Sequence, residues 1–81
     1  MMLIPILIPD LGAPHEQLRL CAWYIEPGEL VEVDEPLLEV LIGGATCDVT
    51  APCRGRVAGP LRLLDSLVMA GETVGWLEPM G

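Results

Sequence analysis

Apolar residues alternate with polar ones over short stretches, and turn-forming residues interrupt every stretch. Leu3-Ile4-Pro5-Ile6-Leu7-Ile8 reads as a strand. Pro5 has no N–H for a ladder, which suits a sheet edge or a strand start. A second strand is expected over residues 18–25. There Leu18, Leu20 and Ala22 share one parity, and Trp23 and Ile25 take the other. A parity change inside one strand predicts a bulge or a sharp twist. Further short strands are expected over residues 30–33, 37–42, 45–50, 56–58, 61–64, 67–68 and 73–77. Between them lie Glu26-Pro27-Gly28-Glu29, Asp34-Glu35-Pro36, Ala51-Pro52-Cys53-Arg54-Gly55 and Ala70-Gly71-Glu72, all rich in turn residues. No window holds a 3.6-residue period over about ten residues. The pattern is all-β, with short strands and tight turns.

The centre of the chain is Glu39-Val40-Leu41-Ile42-Gly43-Gly44-Ala45-Thr46-Cys47-Asp48-Val49. Two apolar runs flank a Gly-Gly pair. Glycine accepts positive φ at both central positions of a two-residue turn, so this is a hairpin with Gly43 and Gly44 at its tip. The tip carries no side chain able to hold a cofactor.

A weak internal repeat surrounds the hairpin. At one constant offset Leu30 falls on Leu67, Val31 on Val68, Glu35 on Glu72, Leu37 on Val74 and Val40 on Leu77. One such unit cannot bury its own apolar face. Two related by a pseudo-two-fold axis form a flattened β-barrel or sandwich of two quasi-symmetric antiparallel sheets, in a single domain spanning residues 1–81.

Composition narrows the function. The chain has 81 residues and a net charge of −8. All of its basic residues are arginines (Arg19, Arg54, Arg56, Arg62), and it contains no lysine. An acidic chain without a basic patch is a poor nucleic-acid binder, because phosphate contacts need clustered cations. It suits a basic protein partner better. With two Trp, one Tyr and no Phe, the core must be aliphatic. The apolar residues 1–9 carry two prolines and no basic flank, and are too few to span a bilayer. A cytoplasmic protein or fragment is expected. The three cysteines are an odd number, which excludes a full disulfide framework, and Cys47 and Cys53 are expected as two buried free thiols more than as a pair across a bend.

The motifs then resemble a known family, the lipoyl/biotinyl carrier domains, over residues 4–78. Ile8-Pro9-Asp10-Leu11-Gly12 resembles its opening motif, a hydrophobic residue, Pro-Asp, a hydrophobic residue and Gly. Trp23-Tyr24-Ile25-Glu26-Pro27-Gly28-Glu29-Leu30-Val31 resembles W-x-V-K-x-G-D-x-V, and Asp34-Glu35-Pro36-Leu37-Leu38-Glu39-Val40 resembles D-x-x-L-x-E-V. Residues 45–49, with Ala51-Pro52 and Gly55-Arg56-Val57, resemble the segment after the family's attachment site. The resemblance implies a barrel-sandwich hybrid fold and a mobile carrier of lipoate or biotin. It also implies partners among the subunits of an acyltransferase, dehydrogenase or carboxylase complex. The chain departs from the family at the tip. Where the family has Asp-Lys-Ala, with cofactor amide-linked to the lysine, this chain has Gly43-Gly44-Ala45. By that resemblance Gly44 stands in the lysine's place, and Leu41 and Ile42 replace the usual polar residues before it. A single engineered replacement would spare those neighbours, so natural loss is the expectation. Arginine cannot substitute, because its guanidinium stays protonated.

The expected function is therefore an unmodified, non-catalytic interaction or docking module, with no bound cofactor. Two alternatives stay open: a swinging-arm carrier altered at its site, and an adaptor segment of a larger assembly. Other candidate sites are weaker. His15 is a lone histidine in a polar loop. Cys21, Cys47, Cys53 and His15 lack zinc-site spacing. Glu26, Glu29, Glu32, Asp34, Glu35 and Glu39 read as a solvated face with a docking role, not as a general acid–base pair. Ser66 has no base near it in sequence.

Overall fold

The computed structural model describes residues 2–81. Met1 lies outside the described residues, so the apolar N-terminal stretch is followed from Met2. The strands are β1 (Ile4–Leu7), β2 (Leu18–Trp23), β3 (Leu30–Val31), β4 (Pro36–Ile42), β5 (Ala45–Thr50), β6 (Gly55–Ala58), β7 (Leu67–Val68) and β8 (Thr73–Pro79). They form two four-stranded sheets, ordered β1-β8-β6-β3 and β5-β4-β2-β7. Every pairing is antiparallel. The sheets do not close into a barrel, so the molecule is a flattened sandwich. No helix among the described residues is long and apolar enough to cross a membrane.

The internal repeat is the organising symmetry. Exchanging β1–β4 for β5–β8 carries one sheet order onto the other. The turn hydrogen bonds obey the same exchange. The Gly28 N–H donates to the Val57 carbonyl, and the Asp65 N–H to the Leu20 carbonyl. Val57 N–H donates to Glu29, and Leu20 N–H to Ser66. The Glu35 carboxylate accepts from the Glu32 N–H, and the Glu72 carboxylate accepts from the Met69 N–H. Positive φ recurs at the paired positions Gly28 and Asp65, and at Asp34 and Gly71. Glu35, expected as part of a solvated acidic face with a docking role, and Glu72 act as hooks that close the turns.

The core between the sheets is aliphatic, as the composition requires. Ile6, Leu20, Leu37, Leu38, Val40 and Leu77 are fully buried, while Trp23 packs against the cluster from its margin. The predicted bulge is present. The register of β2 on β4 shifts between Leu20 and Ala22, which leaves Cys21 unpaired. Three expectations need correction. Residues 61–64 form no strand. Of their backbone groups, the Arg62 N–H donates to the Val74 carbonyl, the Arg62 carbonyl accepts from the Trp23 indole and the Leu63 carbonyl accepts from the Ser66 N–H, so no ladder builds along them. The strand expected over 30–33 ends at Val31, because Asp34 takes a φ of 67° and turns the chain. Cys47 and Cys53 are free as expected, but half-buried instead of buried, and Cys21 is free and half-buried as well.

Gly55 of β6 lies against the backbone of β8, paired with Pro79. A Cβ there would lie 2.6 Å from the Glu78 carbonyl oxygen and 3.3 Å from Pro79 Cα. Both neighbours are backbone, so the strand pair itself must move. Gly55→Ala is expected to lower stability by about 1–3 kcal/mol, the usual cost of overpacking. A urea-unfolding midpoint equal to wild type would show that β6 and β8 yield freely.

Candidate functional site

The tip of the β4–β5 hairpin is built by its turn. Ile42 faces Ala45 in the register, leaving Gly43 and Gly44 as the two loop residues. Their φ values are 55° and 84°. Two successive positive values define the turn type that matches the twist of the flanking strands. The tip is exposed, and a Cβ on either glycine would meet nothing within 4 Å. The constraint is therefore conformational, not one of space. Of the apolar neighbours, Ile42 packs against the core and is half-buried. Leu41 is also half-buried but belongs to the opposite parity, which turns it to the outer face of the sheet. Ala45 is exposed.

This tip does not fit an amide-linked lipoyl or biotinyl arm. Such an arm needs a side-chain amine. Neither glycine supplies one, and the sequence contains no lysine at any position.

One side-chain cluster on the hairpin escaped the sequence reading. Glu39 and Asp48 face each other across β4 and β5. The Tyr24 hydroxyl lies 3.0 Å from Glu39 Oε2 and 2.9 Å from Asp48 Oδ1. One phenol proton bridges two carboxylates and offsets their mutual repulsion. The Asp48 hydrogen bond first, then desolvation and the Glu39 hydrogen bond, push the Tyr24 hydroxyl above its ordinary value near 10. The raised folded-state value means that its contribution to stability is complete below about pH 10 and falls as pH rises beyond it. Tyr24 is the only tyrosine. A tyrosinate absorbance titration should therefore show ionisation displaced alkaline of free tyrosine, and an undisplaced curve would break the bridge.

The remaining candidates do not converge. His15 is exposed in the loop between β1 and β2. No group of histidine, cysteine and carboxylate side chains among the described residues could hold a metal ion. Arg54 pairs with Glu32 at 3.0 Å, and Arg62 lies 3.7 Å from Glu72. An open groove of about 330 Å³ runs between residues 60–63 and β8. Its only ionisable lining residue is Arg62, which is already engaged with Glu72 and the Thr73 carbonyl. The groove offers no acid–base pair.

These features define a class: a small all-β sandwich of two symmetric halves with a bare, exposed glycine hairpin at one end and, among the described residues, no side-chain cluster able to hold a metal ion. No family model matches the chain. It is 36% identical over 74 residues to the dihydrolipoyllysine-residue succinyltransferase component of the 2-oxoglutarate dehydrogenase complex of Rickettsia typhi. That match takes in 91% of this chain and 19% of the relative. The lipoamide acyltransferase component of the branched-chain alpha-keto acid dehydrogenase complex of Pseudomonas aeruginosa is 33% identical over 52 residues, 64% of this chain and 12% of that one. The chain thus spans about a fifth or less of the length of these curated relatives. Among solved structures, the lipoyl domain of the 2-oxoglutarate dehydrogenase complex from Azotobacter vinelandii superposes with a TM-score of 0.75 at 26% identity. The superposition covers 96% of this chain and 99% of that one. The chain belongs to the lipoyl/biotinyl carrier-domain family. It is a carrier-type module and not itself catalytic.

Proposed function

We propose that this chain is a lipoyl-type domain that carries no covalent cofactor and acts by docking onto protein subunits of a 2-oxo acid dehydrogenase or related acyltransferase or carboxylase assembly. The observation that carries the reading is the tip itself: Gly43-Gly44 in a chain without lysine. The fold around the tip is shared with a lipoyl domain over 96% of the chain, which supports a lipoyl-type module. The charge of −8 supports a basic partner surface. A second reading, a lipoyl carrier altered at its site, draws support from the relatives, whose names specify lipoyllysine and lipoamide chemistry.

One experiment separates the two. The native protein is captured from its own cells, and its partners and its intact mass are read together. Recovery of acyltransferase, dehydrogenase or carboxylase subunits with an unmodified chain is the expected result. Lipoate or biotin covalently attached to the native chain would overturn the docking reading.

A further inference from the structure

Four strands of the sandwich are sheet edges: β1, β3, β5 and β7. An edge strand exposes unpaired N–H and C=O groups, and proteins ordinarily blunt it. Three of these edges are blunted. β3 and β7 are two residues long, and β1 carries Pro5. β5 is not. It runs six residues, Ala45–Thr50, with no proline and no cation, and three of them are β-branched.

Its register shows which groups are free. The two-residue turn makes Ile42 and Ala45 a hydrogen-bonded pair, and the alternation of an antiparallel ladder follows. Ala45, Cys47 and Val49 therefore bond inward to β4, and Thr46, Asp48 and Thr50 direct their backbone groups away from it. No turn, loop or side chain among the described residues meets those three N–H groups. The side chains of Thr46, Asp48 and Thr50 are exposed. The adjoining tip, being glycine, puts no side chain in the way of an incoming strand.

The charge selects the occupant. Asp48 lies in the middle of this edge, with Glu39 directly behind it on β4. The ion pairs among the described residues use Arg54 and Arg62 elsewhere, so neither carboxylate has a cation. A second copy pairing β5 on β5 antiparallel about the middle of the strand would set Asp48 against its own equivalent, and in any register it would join two chains of −8 each. An incoming strand with lysine or arginine opposite Asp48 meets the opposite charge at cross-strand contact distance. We infer that β5 is a strand-addition site for an extended basic segment of a partner protein. This rests on the docking reading and names its surface.

The test is a titration of the isotope-labelled chain with a peptide of about six residues alternating Lys and Val, and with its Glu–Val analogue. The expected result is slowed amide exchange at Thr46, Asp48 and Thr50, by about tenfold with peptide at about ten times its Kd. Asp48→Asn should weaken the Lys–Val peptide. Asp48→Lys should abolish its binding and transfer preference to the Glu–Val peptide. Both substitutions are on an exposed side chain, and the amide spectrum reports that the fold is intact. Protection at β1 or β7, protection nowhere, equal binding of both peptides, or a chain that sediments as a dimer with these amides already protected would each overturn the inference. If complex subunits are captured equally by wild type and Asp48→Lys, docking stands and β5 is not its site. A lipoylated native chain would remove the docking reading without altering the peptide result.

Discussion

Leu77→Ala is expected to cost about 2–5 kcal/mol, the range for truncating a fully buried leucine in a core that closes only partly around the cavity. Leu77 is wholly inaccessible to solvent. It lies in β8, between Ile4 of β1 and Val57 of β6, so both neighbours border the space it fills. The chain has little stability to spare. At roughly 0.05–0.15 kcal/mol per residue, a domain of this size holds about 4–12 kcal/mol in total. The variant therefore loses a large fraction of its stability, and at the low end it does not fold. Its urea midpoint should fall with the slope unchanged. Leu63→Ala, at a side chain that is 78% exposed, is the control and should leave the midpoint in place. A loss below about 1 kcal/mol for Leu77→Ala would mean that the aliphatic core collapses around the gap.

The same core explains which parts of the fold the sequence discloses. The β4–β5 hairpin was readable because a Gly-Gly turn sets the register, and β5 matches its expected bounds. The bulge at Cys21 was readable from the parity change. The repeat was readable because its turns reuse the same glutamate hook. Residues 61–64 depart from the expectation because an apolar run shows that side chains prefer burial, and does not show that a neighbouring strand will take up the backbone bonds. Leu63 and Leu64 in fact stay exposed.

The site divides in the same way. The bare tip and the facing of Glu39 and Asp48 follow from the turn. The arrival of Tyr24 between them does not, because it depends on the path of the chain beyond the bulge in β2. The openness of β5 is also hidden. It follows from sheet order, a non-local property that places nothing beside this strand.

Gly44→Lys is expected to remain unmodified when incubated with a lipoate ligase, lipoate and ATP, read by intact mass. The residue has room, since a Cβ at Gly44 meets nothing within 4 Å. The obstacle is the backbone. Gly44 holds a φ of 84° and Gly43 one of 55°. An L-residue in that region costs about 1–2 kcal/mol. A lysine there either bears the strain or pulls the turn out of its type. Leaving the type disturbs the Ile42–Ala45 pair, where the β4–β5 ladder begins. Ile42 resists that movement because it packs against the core. A ligase must also meet half-buried Leu41 and Ile42 where the family resemblance implies polar residues. The amine would thus be present on a hairpin that does not offer it in the enzyme's geometry. Gain of one lipoyl group by the single variant would overturn this. It would mean that the hairpin retains a carrier's tip geometry, and that loss of the lysine alone separates this chain from a functioning swinging arm.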